Sequence, residues 1–137
     1  MANRWLLKTE PSAYSFAALV SDGRTTWDGV KNPLALKHLA SVRKGDRLFI
    51  YHTGDEKAVV GVAEAVSDPY ADPKKSDPKL IVIDLKPVRG LDAPVPLAAI
   101  KARKSFGGFD LVRLPRLSVM PVSVEQGEEI ERMAKGG

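Results

Sequence analysis

The sequence predicts a mixed α+β fold in which about five to six short strands form a twisted β-barrel flanked by short helices. An alternating apolar pattern opens the chain, and several β-prone stretches then follow one another across tight turns. Such consecutive strands favour an antiparallel or mixed sheet over a doubly wound parallel sheet, and closure into a barrel removes its exposed edges. No linker interrupts the pattern, so residues 1–137 are expected to form one domain.

The first strand is predicted over Trp5–Glu10, because successive residues alternate between two faces. Pro11 ends it. A short helix follows, with Ser12 or Ser15 as its N-cap and Asp22-Gly23 at its end. The residues after this helix continue the alternation of short strands and short helices.

The next strand is predicted at residues 25–28, and a second helix begins at Pro33, which suits a first helical turn. An imperfect apolar stripe carries this helix to Lys44, with Gly45 as its stop signal. Two longer strands follow at 47–53 and 58–66, the second of them apolar on both faces like a central or barrel strand.

Residues 68–79 hold several prolines, aspartates and lysines and are expected to form a long exposed loop, a kind of segment that is often functional. A strand at 80–85 and a short helix at 98–101 come next. The chain then returns to a strand at 117–122, and Ser123 is placed to cap a C-terminal helix.

The composition is that of a globular protein, with 44% hydrophobic and 28% charged residues. The absence of cysteine excludes disulfides, thiolate metal sites and cysteine nucleophiles. Two histidines argue against a zinc site, so we expect neither metal nor cofactor. The N-terminal apolar run stops at Lys8, and no later run approaches the roughly 20 residues that span a bilayer. We therefore expect a cytoplasmic protein without a membrane partner.

Trp27 is a candidate ligand contact because it stands in a polar stretch just before a turn. It is either a core residue or a platform on which a nucleobase stacks, an interaction worth about 1–3 kcal/mol per base. Tyr14 and Tyr51 are candidate neighbours of it. His52 is a lone histidine, which is more often a hydrogen-bonded structural residue than a general base.

Several polar residues are open to two interpretations. Lys8 shares a strand face with Glu10, either as a surface ion pair or as part of a polar pocket that meets a phosphate or a base edge. Asn32 is either a turn residue or an amide presented to a base. The net charge of +4 permits a polyanionic partner. The basic side chains that form either a solvated face or a set of phosphate contacts are Lys31, Lys101, Arg103, Lys104, Arg113 and Arg116.

No catalytic or phosphate-binding signature is complete. The Gly107-Gly108 pair, flanked by phenylalanines, matches neither a phosphate-binding loop nor a dinucleotide-binding turn. The chain also lacks a Gly-x-Ser-x-Gly nucleophile elbow and the spacing of a calcium loop. The residues alone therefore favour a binding protein over an enzyme.

A set of ordered segments spans nearly the whole chain: Trp5-Leu6-Leu7-Lys8-Thr9-Glu10-Pro11, Tyr14-Ser15-Phe16, Thr26-Trp27-Asp28-Gly29-Val30-Lys31-Asn32, Lys44-Gly45-Asp46, Tyr51-His52-Thr53, Gly61-Val62-Ala63-Glu64, Asp72-Pro73-Lys74 and Arg116-Leu117-Ser118-Val119-Met120-Pro121-Val122. In this order they resemble the EVE domain of the PUA-like superfamily, which also contains the YTH and ASCH domains. The chain departs from that pattern at Lys31, where arginine is more usual, and at Gly127-Glu128, where many relatives carry tryptophan in the last helix.

The resemblance implies a PUA-like barrel with a pocket at one end, in a non-catalytic module that reads a modified base in DNA or RNA. Modified cytosine is the first candidate, and the protein is expected to be a monomer. Carried over residue by residue, the pocket lining comprises Lys8, Thr9, Trp27, Asn32, His52, Arg116 and Ser118, with Tyr14 or Tyr51 closing it.

Two alternatives remain at this point. Some ASCH relatives are small amidohydrolases that act on acylated cytidine through lysine, threonine and glutamate. Lys8, Thr9 and either Glu10 or Glu64 supply these residue types. However, neighbouring residues on a regular strand point to opposite faces, so adjacency does not establish a catalytic geometry. The other alternative is a sensor of a small nucleotide-like ligand.

Overall fold

The computed structural model of the protein describes residues 3–136. The strands in this range are β1 (Arg4–Thr9), β2 (Thr25–Trp27), β3 (Arg47–His52), β4 (Ala58–Ala65), β5 (Tyr70–Ala71), β6 (Ile81–Pro96) and β7 (Val119–Val122). The α-helices are α1 (Phe16–Asp22), α2 (Pro33–Ser41), α3 (Leu97–Lys101), α4 (Asp110–Arg113) and α5 (Val124–Ala134), with a 3-10 turn at Lys104–Phe106.

The strands form one curled, half-barrel sheet in the order β2-β6-β4-β3-β1-β7, and β5 pairs with the start of β6. The β1–β3 pair is parallel, whereas the other pairs are antiparallel. The predicted mixed α+β class and mixed sheet are thus confirmed. Counting the two-residue β5, the described residues hold seven strands, slightly more than expected.

The predicted starts of α1, α2 and α5 are confirmed, and a side chain caps each of them. Ser15, the second of the two candidates, accepts the backbone N–H of Ala18 at 3.0 Å, and Gly23 ends α1 with a φ of 75°. Asn32 accepts the backbone N–H of Ala35 at 3.0 Å at the start of α2. At α5, the Ser123 side chain takes part in a complete capping box.

Three predicted boundaries were wrong. Helix α2 ends at Ser41 instead of Lys44, and Gly45 lies in the following turn with a φ of 95°. The loop at 68–79 contains strand β5. Strand β6 continues from 85 to 96 through three prolines. Beyond Leu85 the described residues place β4 on one side of β6 and no strand on the other, and such an edge tolerates residues without an N–H.

Asp46 holds the start of β1 to the start of β3. Its carboxylate is 3% exposed and accepts the backbone N–H of Asn3 at 3.0 Å, the indole N–H of Trp5 at 2.9 Å and the backbone N–H of Arg43 at 2.9 Å. A buried carboxylate requires such donors, because its desolvation is otherwise costly. The three bonds connect the N-terminal strand to the turn that enters β3.

Glycine is required at two points where side chains approach the backbone closely. A β carbon on Gly61 of β4 would lie 2.5 Å from the ring of Phe16, so the absence of a side chain lets α1 pack directly on the sheet. A β carbon on Gly127 would lie 2.6 Å from Cδ of Arg4. The last helix thus packs on the sheet through a glycine at the place where the family pattern often has tryptophan. Among residues 3–136, no helix is long and apolar enough to cross a membrane.

Asp46→Asn is expected to lower the free energy of unfolding by about 2–4 kcal/mol, because the amide replaces one acceptor oxygen by a donor that faces N–H groups. Urea unfolding followed by circular dichroism measures the change. Asp55→Asn, in an exposed turn, makes the same substitution and should change stability by less than about 0.5 kcal/mol. Equal effects of the two variants would show that the Asp46 bonds do not stabilise the fold.

Candidate functional site

A cleft of about 650 Å³ opens where the end of β1 meets β2. We call it the main cleft, and its lining residues are Lys8, Thr9, Ala13, Tyr14, Thr25, Thr26, Trp27, Asp28, Gly29, Val30, Lys31, Lys74 and Ser118. This volume lies in the range of small-molecule sites and is sufficient for a nucleobase. The lining combines an aromatic wall with three lysines.

Lys8 enters the main cleft from the end of β1. Its Nζ donates to the carbonyl oxygen of Pro115 at 2.8 Å and lies 5.5 Å from the ring centre of Tyr51. The backbone N–H of Lys8 donates to the carbonyl of Ser118 at 2.9 Å, which brings the segment before β7 to the cleft. Burial lowers the pKa of the Lys8 amine and raises the pKa of the Tyr51 hydroxyl. One ammonium proton is used by Pro115, and the others remain for a ligand.

Thr9 and Tyr14 are hydrogen-bonded to each other in the lining of the main cleft. The Thr9 hydroxyl donates to the carbonyl of Tyr14 at 2.7 Å, and the Tyr14 hydroxyl donates to Asp22 at 2.8 Å. The Tyr14 ring meets Trp27 edge-on, with centroids 6.4 Å apart and an angle of 80°. Tyr14 therefore supports the indole from the side rather than stacking on it.

Trp27 forms part of the cleft wall but is only 8% exposed. It pairs with Ile83 of β6 and belongs to the hydrophobic core. Trp27 is thus a core residue that also belongs to the lining of the main cleft. A rigidly packed aromatic surface loses little conformational freedom when a planar ligand binds.

Asp84 of β6 forms hydrogen bonds to side chains of the neighbouring strands β2 and β5. Its carboxylate accepts hydrogen bonds from the Thr26 hydroxyl at 2.8 Å, the Tyr70 hydroxyl at 2.7 Å and the Arg24 guanidinium at 3.2 Å. Partial burial opposes ionisation, but these three donors together lower the pKa of Asp84. The carboxylate thereby ties β2 and β5 to β6, and the loop after β5 contributes Lys74 to the main cleft.

Six predicted ligand contacts line the main cleft: Lys8, Thr9, Tyr14, Trp27, Lys31 and Ser118. Other predicted residues lie outside its lining. Asn32 caps α2, and Tyr51 lies buried beneath Lys8. His52 is buried, with Nε2 accepting the backbone N–H of Phe16 at 3.0 Å and Nδ1 lying 2.7 Å from Glu56. Its bonds join α1 to β3.

The predicted phosphate contacts are divided between two places. Lys31 lines the main cleft, whereas Lys101, Arg103 and Lys104 line a smaller cleft of about 230 Å³ around α3. Arg103 forms an ion pair with Glu129. The other two arginines line neither cleft. Arg113 pairs with Asp110 at 2.8 Å, and Arg116 is exposed.

The sequence alone indicates no binding role for several other lining residues of the main cleft, which include Ala13, Thr25, Thr26, Asp28, Val30 and Lys74. Two signals were available. Asp28 stands beside Trp27, and Lys74 belongs to a segment that resembles the family pattern. The Asp72 carboxylate accepts the backbone N–H of Lys74 at 2.9 Å, which shapes the turn carrying this lysine.

Among the described residues, the side chains of the amidohydrolase residue types bond to other groups rather than directly to one another. The Thr9 hydroxyl is bonded to Tyr14, Glu10 accepts bonds from Ser12 and Thr53, and Glu64 lies 3.6 Å from Arg47. Within residues 3–136, no cluster of three or more histidine or carboxylate side chains has the arrangement of a metal site.

Comparison with known proteins identifies a family, related sequences and related structures. The sequence profile of the EVE domain matches residues 3–133. Thymocyte nuclear protein 1 of Mus musculus is 30% identical over 160 residues, which cover 92% of this chain and 71% of the mouse protein. The NMR structure of a Rhodopseudomonas palustris protein is 37% identical, has a TM-score of 0.92, and covers 98% of this chain and 94% of that chain.

Two further solved structures extend the likeness. Human THYN1 protein, in complex with DNA that contains 5-methylcytosine, is 26% identical with a TM-score of 0.88, and the match covers 98% of each chain. An ASCH protein of Zymomonas mobilis has a TM-score of 0.62 at 14% identity over 96% of this chain and 95% of that chain, a likeness of fold alone. The PUA-like fold implied by the sequence is confirmed.

All three tyrosines are expected to ionise above pH 10 in the folded protein. Burial raises the pKa of Tyr14 and Tyr51, and the hydrogen bond to Asp84 raises the pKa of Tyr70. Because the folded-state pKa values exceed the unfolded values near 10, the tyrosines' contribution to stability is complete below pH 10 and is lost as pH rises through the folded values. Absorbance at 295 nm, recorded with and without urea, tests this. Coincident titration curves would contradict it.

Proposed function

The chain belongs to the EVE domain family, and we propose that it is a non-catalytic module that binds DNA or RNA and holds one modified base in the main cleft, with modified cytosine as the first candidate.

 The chain shares its fold with a relative whose structure contains DNA. The lining of the main cleft includes aromatic, apolar and basic side chains that can contact a base.

The observation that carries this proposal is the Trp27 surface in a cleft large enough for a base. A base in a duplex must be extruded before it reaches such a cleft, at a cost of a few kcal/mol. Stacking on Trp27 offsets this cost by about 1–3 kcal/mol. A methyl-sized group that fills an apolar corner adds on the order of 1 kcal/mol. Val30 supplies buried apolar surface to the same lining.

The known complex of a relative supports the choice of ligand. Human THYN1 protein has been crystallised with DNA that contains 5-methylcytosine, and the match covers 98% of this chain at a TM-score of 0.88. Its sequence identity of 26% leaves the choice of modification to be measured for this chain. We take 5-methylcytosine as the first base to test.

Basic side chains supply the part of the affinity that is independent of base. Lys31 and Lys74 lie in the main cleft, and Lys101 and Lys104 lie in the smaller cleft. Contacts of lysine and arginine with phosphates release counterions, so the affinity they provide falls as salt concentration rises. We propose that these residues position the nucleic acid while the main cleft selects the base.

The hydrolase alternative requires a different arrangement. A general base must lie within hydrogen-bond reach of the proton that it removes, and the Thr9 hydroxyl donates instead to a backbone carbonyl. Release of cytidine from acetylated cytidine, abolished by Lys8→Ala, would replace the binding proposal with an enzyme. The monomeric state, the cytoplasmic location and the single-domain organisation remain predictions.

Trp27→Leu is expected to weaken binding to the preferred modified base at least tenfold, because leucine keeps apolar volume but removes the aromatic surface. Trp27→Phe should retain part of the affinity. Fluorescence anisotropy with short labelled DNA and RNA oligonucleotides measures both, using plain, methylated and hydroxymethylated cytosine at two salt concentrations.

Thermal unfolding of each variant serves as the control for folding, since Trp27 is also a core residue. Lys101→Gln provides a matched contrast, because it should weaken binding to all oligonucleotides alike and reduce the salt dependence. A folded Trp27→Leu protein with unchanged base preference would contradict the stacking role.

A further inference from the structure

Asp28 is the one carboxylate among the described residues that line the main cleft. It is exposed, follows Trp27 at the end of β2, and precedes Gly29, whose φ is 77°. Within residues 3–136, no hydrogen bond or ion pair engages its side chain. The acceptor oxygens of Asp28 are therefore available to a ligand.

The charge of this side chain is opposite to that of its surroundings. Lys8, Lys31 and Lys74 line the same cleft and favour a polyanion, whereas a carboxylate repels one. Neutral residues would therefore bind phosphates better at position 28. The presence of Asp28 is explained if the ligand brings a hydrogen-bond donor to this part of the wall.

Nucleobases differ in the donor that they can offer. Cytosine and adenine carry an exocyclic amino group, whereas thymine and guanine present a carbonyl oxygen at the corresponding place. An ionised carboxylate only accepts hydrogen bonds, so it attracts the amino group and repels the carbonyl. Because Trp27 and Asp28 both line the main cleft, a base held there against the indole can present its edge to the carboxylate.

We propose that Asp28 determines specificity in the main cleft by accepting a hydrogen bond from the exocyclic amino group of a base. This inference rests on the proposed function and extends it, since it assigns the ligand to the amino-bearing bases. Lys8 and the Ser118 hydroxyl line the same cleft and can donate to the acceptor atoms on the ring of such a base.

The experiment compares single-stranded DNA oligonucleotides that carry 5-methylcytosine or thymine at one position, with a plain-cytosine strand as the reference. 5-Methylcytosine and thymine have the same ring size and 5-methyl group, so they differ in the amino or carbonyl group at C4 and in the protonation of the adjacent ring nitrogen. Single strands avoid unequal costs of base pairing. Wild-type protein should bind the 5-methylcytosine strand at least tenfold more tightly, and Asp28→Asn should reduce this ratio to about threefold or less, because asparagine offers both a donor and an acceptor.

Asp92→Asn is the matched control, because Asp92 is an exposed carboxylate on β6 outside the main cleft. It makes the same charge change and should leave the tenfold ratio intact. Anisotropy titrations at one salt concentration measure all the ratios, and thermal unfolding verifies that both variants fold.

The outcomes separate the two proposals. An unchanged ratio in Asp28→Asn, or equal binding of the two strands by wild-type protein that still prefers 5-methylcytosine over cytosine, overturns the role of Asp28 and leaves the base-reading function intact. Wild-type binding that is independent of the base in every strand overturns both.

Discussion

The buried carboxylate of Asp46 is the contact on which the arrangement of the sheet depends. It holds the backbone of Asn3 and the indole of Trp5 at the beginning of β1, and it also closes the turn before β3. The parallel register of β1 and β3 starts from this point, and β7 adds to the other edge of β1. The far end of β1 then delivers Lys8 and Thr9 to the main cleft. The end of β1 that Asp46 holds and the end that lines the main cleft thus belong to one continuously paired strand.

The main cleft is held together by short polar contacts at the ends of strands. The Thr9 hydroxyl donates to the carbonyl of Tyr14, and Asp84 accepts hydrogen bonds that connect β2 and β5 to β6. Between them, Trp27 is packed into the core and leaves only a small surface exposed. This arrangement gives a rigid aromatic wall bordered by side chains that still reach solvent. Such preorganisation reduces the entropy lost when a planar ligand is bound.

Local patterns predicted most of the fold, because alternation and capping residues act over a few positions. Ser15, Pro33 and Ser123 marked the helix starts for this reason. The extent of β6 was missed, since its prolines are tolerated only through an unpaired edge that the sequence does not display. The placement of His52 likewise depends on a distant partner, the backbone N–H of Phe16. Lys74 reaches the cleft through a loop whose course is set by β5 and β6.

Different groups of the main cleft contribute to overall affinity and to selectivity between bases. Contacts between lysine side chains and phosphates are the same for any sequence and weaken as salt rises, so these contacts do not identify a base. An aromatic surface also accepts every base, because every base has a π-face. Discrimination therefore falls to groups that meet the edge of the base or its added substituent. In this cleft those groups include the apolar surface of Val30, the Lys8 ammonium, the Ser118 hydroxyl and the Asp28 carboxylate. Among them, the carboxylate is the group that accepts hydrogen bonds without donating any, so it favours a base that carries an amino group.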